Sequence, residues 1–139
     1  MQLSENFTLA ELTVTSTMLP NRPNDAQLDA LKQLAKNVLQ PLRSLYGRPI
    51  DVNSGFRSVS VNISVGGAKN SQHCKGEAAD LSCDENALLF NLVRNHLDFD
   101  QLIWEGGNAI APEWVHVSYK ASGNRKDVLQ MRSGKYTAI

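Results

Sequence analysis

Between Asn24 and Gly47 the chain carries Leu28, Leu31, Leu34, Val38, Leu39, Leu42 and Leu45, mostly at three- and four-residue steps. Side chains at that spacing fall on one face of an α-helix, so an amphipathic helix of about five turns is expected. A single apolar stripe must be covered by another layer of structure. Asn24 is placed to cap this helix and Gly47 to stop it. Pro41 lacks the amide that a helix interior uses, so a kink or a shortened helix is expected there. Upstream, Thr8-Leu9-Ala10-Glu11 fits a capping box. Only a short helix can follow it, because Thr13, Val14, Thr15 and Thr17 are poor helix formers.

The covering layer is read from several short strands. Pro49 to Ser54 enters a turn at Gly55, where a tight turn is expected. Ala78 to Ser82 and Phe99 to Trp104 are further candidates, and Trp114 to Tyr119 is the clearest strand. Asp84 or Glu85 opens another helix, whose buried face is Leu88, Leu89, Leu92 and Val93. Ser58 to Ser71 reads as loop, with one helical turn near Asn62. Helices first, then strands with one helix between them, predict an α+β domain with helices against one face of a mostly antiparallel sheet. At 139 residues, one domain covering 1–139 is expected.

Fourteen basic residues balance fourteen acidic ones. That balance argues against a general nucleic-acid binder, which needs a basic face for phosphates. No run approaches the roughly 18 apolar residues of a membrane span. The first residues lack the basic and apolar regions of a secretory signal, so synthesis in the cytoplasm is the expectation. Cys74 and Cys83 are too few for a disulfide scaffold and read as small buried thiols.

Three histidines are present. His96 falls at the end of the predicted helix 86–96, where a cation suits the helix terminus, and reads as structural. His116 lies on the clearest strand and shares its face with Trp114 and Ser118, while Val115, Val117 and Tyr119 take the other. Asp80 lies on another strand, and His73 stands in the loop before it. Two imidazoles and one carboxylate form a frequent ligand set for catalytic zinc. On residue types and spacing alone, a surface His73, a turn-capping Asp80 and a strand-edge His116 remain open.

Ser54-Gly55-Phe56-Arg57-Ser58, Ser71-x-His73-x-x-Gly76-x-Ala78-x-Asp80 and Trp114-Val115-His116-Val117-Ser118 together resemble the M15 zinc peptidases. These include bacterial D-Ala-D-Ala carboxypeptidases and dipeptidases, and phage L-alanyl-D-glutamate endolysins. Phe7 to Leu12 and Asp100 to Ile103 resemble the small phage-type members. The resemblance spans roughly residues 5 to 120 and implies a D-Ala-D-Ala-peptidase-like, hedgehog-like fold. It implies Zn²⁺ held by His73, Asp80 and His116, with the site across the sheet and under the Ser58–Ser71 loop. It also implies that Arg57 steadies the scissile carbonyl oxygen, a role suited to a fixed, always charged donor fork. Ser71 would orient substrate, and Trp114 could wall the cleft; on local grounds alone Ser71 reads as a loop cap rather than a substrate contact.

For the proton-carrying base, the resemblance points to Glu113, three residues before His116. Strand alternation turns Glu113 away from His116 unless the strand starts irregularly. Glu105, at the end of Leu102-Ile103-Trp104-Glu105, is the rival, and Glu77 reads as solvated. The implied activity is hydrolysis of peptide bonds in peptidoglycan stem peptides, in a phage or prophage lysis setting, acting at the cell wall or periplasm after release. A monomer without nucleic-acid or membrane partners is expected. The alternatives are a non-catalytic zinc-containing binding or phage structural component, and a cysteine hydrolase built on Cys74.

Overall fold

The computed structural model describes residues 1–139. The leucine stripe folds as α2 (Asp25–Leu34), a π-helical turn (Ala35–Leu39) and α3 (Gln40–Tyr46). Asn24 caps α2 by accepting from the Gln27 amide, and Gln27 returns the bond to complete a capping box. The helical run does not end at Pro41. The preceding turn widens instead, so that the Gln40 amide reaches the Ala35 carbonyl, and Pro41 falls in the first turn of α3. There its missing amide costs little. Gly47 closes the helix in the left-handed conformation at φ 75°. The short α1 (Leu9–Leu12) carries the expected Thr8–Glu11 capping box.

Opposite the helices lies one sheet of six strands: β1 (Asp51–Ser54), β2 (Ala78–Ser82), β3 (Gln101–Glu105), β4 (Trp114–Ser118), β5 (Asp127–Arg132) and β6 (Lys135–Ala138). Their order across the sheet is β1-β2-β4-β3-β5-β6, antiparallel except for the parallel β3–β5 pair. The α+β expectation is therefore met. The sequence reading missed the β5–β6 hairpin, and it undercalled Val59–Ser64, which folds as a six-residue helix, α4. The later helix, α5, runs from Asn86 to His96.

One face of the sheet is apolar. Ala79, Leu81, Leu102, Val115 and Val117 are fully buried there, packed with Leu31, Leu34, Leu39 and Leu42 from the helical run and Leu89, Phe90 and Val93 from α5. Burying a side chain of this size contributes about 1.5–3 kcal/mol. Trp104 also belongs to this side, with its ring edge-on to Phe90 at 5.1 Å. Asp100, fully buried, locks the chain where β5 begins. Its carboxylate accepts from Arg125 Nε and Nη2 at 3.1 and 2.8 Å and from the Arg125 amide at 3.0 Å. The opposite face carries the polar groups.

Candidate active site

Directly paired residues on neighbouring strands share a sheet face. The register therefore sets Ser54, Asp80, His116, Ile103 and Leu129 in one row across five strands. A second row holds Trp114, Glu105, Met131 and Tyr136. His116 and Asp80 meet because β2 and β4 pair at that position. His73 arrives from a 3₁₀ turn, Gln72–Lys75, capped by the Ser71 hydroxyl, which accepts from the His73 amide. Two glycines let this loop close. A Cβ at Gly55 would collide with the Leu12 carbonyl, so close chain approach demands the residue rather than the tight turn expected. Gly76 ends the 3₁₀ turn at φ 74° and presses against the Gln27 carbonyl.

His73 Nε2 lies 3.3 Å from Asp80 Oδ2, and His116 Nδ1 lies 3.0 Å from Asp80 Oδ1. One ligand atom from each of the three residues falls within 4.8 Å of the others. Ligand atoms on a tetrahedral zinc stand about 3.4 Å apart, given bond lengths near 2.1 Å. The donor set and its spacing thus fit that ion. The second nitrogen of His73 is engaged with the Gly55 carbonyl at 2.7 Å, which assigns Nδ1 the proton and leaves Nε2 as the free lone pair. Burial lowers the pKa of His116, favouring the neutral imidazole that metals require. Burial raises that of Asp80, but the two imidazoles beside it, His116 above all, outweigh it and hold the carboxyl well below the usual range.

A cavity of about 760 Å³ opens over this trio. Arg57 lines it with its guanidinium fixed on three sides: Nε to Ser54 Oγ at 3.0 Å, Nη1 to Asn62 Oδ1 at 3.0 Å, and Nη2 at 3.5 Å from Asp80 Oδ2. Ser71 and Trp114 also line it, as do Gly66, Gly67, Ala68 and Asn70 of the loop expected to cover it. Glu105 is in the wall and only 6% exposed. Burial pushes its carboxyl up to about 7; the negative charge of Asp80 adds to the rise and His73 opposes it.

Glu113 is not brought to the cavity. Its amide donates to the Glu105 carbonyl, one residue out of the Glu105↔Trp114 register, so the entry to β4 is irregular. The side chain is exposed and lies beside Gly106. Glu77 lines the far part of the cavity, half-buried, with Gln72 Nε2 at 3.4 Å. His96 is exposed at the end of α5. Cys74 and Cys83 are both free and half-buried. Burial raises the Cys74 thiol's pKa, the opposite of what an activated nucleophile needs. Among the cavity residues that the sequence reading did not single out, Leu129, Met131 and Tyr136 stand on the missed hairpin.

Three side chains able to hold a metal, a fixed guanidinium and a buried carboxyl surround one open cleft, the arrangement that metal-dependent hydrolases use. Comparison with known proteins gives the family. The pattern described as Peptidase M15 matches residues 5–118. A curated zinc D-Ala-D-Ala carboxypeptidase from Streptomyces albus G is 39% identical over 105 residues, which is 73% of this chain and 41% of that protein. The chain thus spans under half of that relative's length. This chain belongs to the M15 peptidase family, and zinc is the metal that the family and the donor set indicate.

Proposed function

We propose that this chain is a zinc-dependent peptidase that hydrolyses amide bonds in peptidoglycan stem peptides. The observation that carries the reading is a single cleft holding His73, Asp80, His116, Arg57 and Glu105 together. His73 Nε2, His116 Nδ1 and an Asp80 oxygen would hold the zinc. When bound, the ion lowers the pKa of water and polarises a carbonyl oxygen. Glu105 is the proton carrier. Its carboxylate takes a proton from water as the oxygen attacks the carbonyl carbon, and delivers it to the amine nitrogen as the C–N bond breaks. A carboxyl near pH 7 suits both halves of that task. Glu113 is left outside the chemistry by its exposure.

Arg57 donates toward the carbonyl oxygen as negative charge develops. Its bonds to Ser54 and Asn62 keep the fork in place before substrate arrives. Ser71 and Trp114, which both line the cleft, contact the peptide. The substrate class rests on the family and on the name of the Streptomyces relative. A phage or prophage lysis setting, with action at the wall after release, rests on the resemblance of the segments at Phe7 and Asp100 to small phage-type members. Glu105 favours catalysis over a purely structural metal, because a structural site has no use for a buried, unpaired acid beside it.

The test is release of new amino groups from purified peptidoglycan by the zinc-loaded protein. Release that a chelator stops and zinc restores is expected. Binding without any release would overturn the peptidase reading in favour of a non-catalytic role.

A further inference from the structure

The β5–β6 hairpin lies beyond residue 118, where the family match ends, yet it builds part of the cleft. β5 pairs with β3 through Ile103↔Leu129 and Glu105↔Met131, and β6 pairs with β5 through Met131↔Tyr136. The three hairpin side chains therefore continue the face that bears His116 and Glu105. Adjacent strands lie about 4.8 Å apart, which sets the Tyr136 backbone about 10 Å from that of Glu105. A tyrosine side chain leaning across Met131 spans most of that gap. Tyr136 is 56% exposed but lines the cavity. Burial, then the charges of Glu105 and Asp80, raise its pKa, with no hydrogen bond among the influences. The phenol is thus a protonated donor without a partner.

We propose that Tyr136 is a substrate-binding residue that sets specificity on the hairpin side of the cleft. Its O–H donates to a peptide carbonyl, while its ring with Leu129 and Met131 receives a small uncharged side chain. The preference follows from the surroundings: Leu129 and Met131 give this end an apolar lining that disfavours any charged side chain, and the negative charges of Glu105 and Asp80 add to the exclusion of an acidic one. The cations Lys75, Lys120 and Arg125 also line the cavity. Lys120 and Arg125 belong with the Gln101–Ser118 end, four residues along β3 from Glu105 and about 13 Å away. Charged parts of the peptide belong there.

This inference rests on the peptidase reading, and kinetics on a soluble stem pentapeptide separate the two. Tyr136→Phe is expected to keep its zinc and to raise KM about tenfold, the worth of one hydrogen bond, with kcat within about twofold. Tyr136→Ala should raise KM further. A matched peptide with an acidic residue in place of each alanine should lose more against wild type than against Tyr136→Ala. Unchanged KM in both variants, or a fall in kcat alone, would overturn the assignment. If the wild type releases no amino groups, the peptidase reading falls, and calorimetric binding of the same pentapeptide decides the subsite. Weaker binding by Tyr136→Phe supports it, and equal binding overturns it.

Discussion

β4 and β5 both border β3, but they are different kinds of strand. In β4, Val115 and Val117 are fully buried on the core face, and His116 and Ser118 are almost as enclosed on the other. Every residue of β5 is half-buried, and all of β6 is exposed. The buried side carries the groups whose protonation and position matter, because low solvent access strengthens every charge interaction there. The exposed side carries Leu129, Met131 and Tyr136, which can vary without unsettling the metal ligands. Chemistry sits where the sheet is held from both sides, and selectivity sits at its margin.

Substitutions should respect that division. The largest effect is expected at Asp80, where Asp80→Ala removes the carboxylate shared by both histidines and should abolish zinc binding and turnover together, checked by metal content and amino-group release. Next, Glu105→Gln should lower kcat by about 10² to 10⁴ with zinc retained, whereas Glu113→Gln should stay within about twofold, as measured by steady-state kinetics. Equal losses in the two variants would return the base to Glu113.

The pH dependence sharpens the same contrast. Glu105 must be ionised to accept a proton and burial raises its carboxyl, so kcat/KM should rise with pH along a limb that bound zinc draws below the metal-free value of about 7, and this limb should vanish in Glu105→Gln. Its carboxyl is raised from 4.5 to about 7 on folding, so the folded chain binds the extra proton between those values. The stability this gives the metal-free protein is complete below about pH 4.5 and is lost as pH rises through about 7. Urea titrations of metal-free wild type and Glu105→Gln across that window measure it.

At the margin the effects are smaller. Arg125→Gln leaves the buried Asp100 carboxylate without its strongest partner and should cost about 1.5–3 kcal/mol of stability. Asp100 is drawn down to about 2, mainly by Arg125, so its contribution is present above pH 3.8 and lost as pH falls toward 2. Acid unfolding of Arg125→Gln should therefore begin from a lower plateau and show a shallower loss. Zinc affinity should change little, as neither Arg125 nor Asp100 is among the candidate ligands.

The same division governs what was legible in the sequence. β4 was plain because Val115, Val117 and Tyr119 alternate with Trp114, His116 and Ser118, a period that only a strand satisfies. The leucine stripe was plain for the corresponding reason in a helix. His73 could be tied to Asp80 and His116 only through the family resemblance, since a 3₁₀ turn held by Gly55 and Gly76 leaves no periodic trace. The hairpin stayed hidden because its turn is Ser133-Gly134, with both residues at positive φ, 52° and 75°. Asn-Gly or Asp-Gly would have announced such a turn, and serine there does not. Pro41 marked the place where the long helix changes, but the widened turn Ala35–Leu39 that carries it past the proline left no mark in the sequence. For the base, strand alternation and family spacing pointed to different residues; Glu105 lines the cleft and Glu113 is exposed at an irregular strand entry, which no periodicity announces.

The most direct test of this account is metal analysis of the purified protein beside His116→Ala, with folding of both followed by circular dichroism. One zinc per chain in the wild type, and none in a folded His116→Ala, is the expected result. Zinc retained at full occupancy by His116→Ala, or a wild type that takes up no zinc, would contradict the claim that these two histidines and the aspartate share one ion.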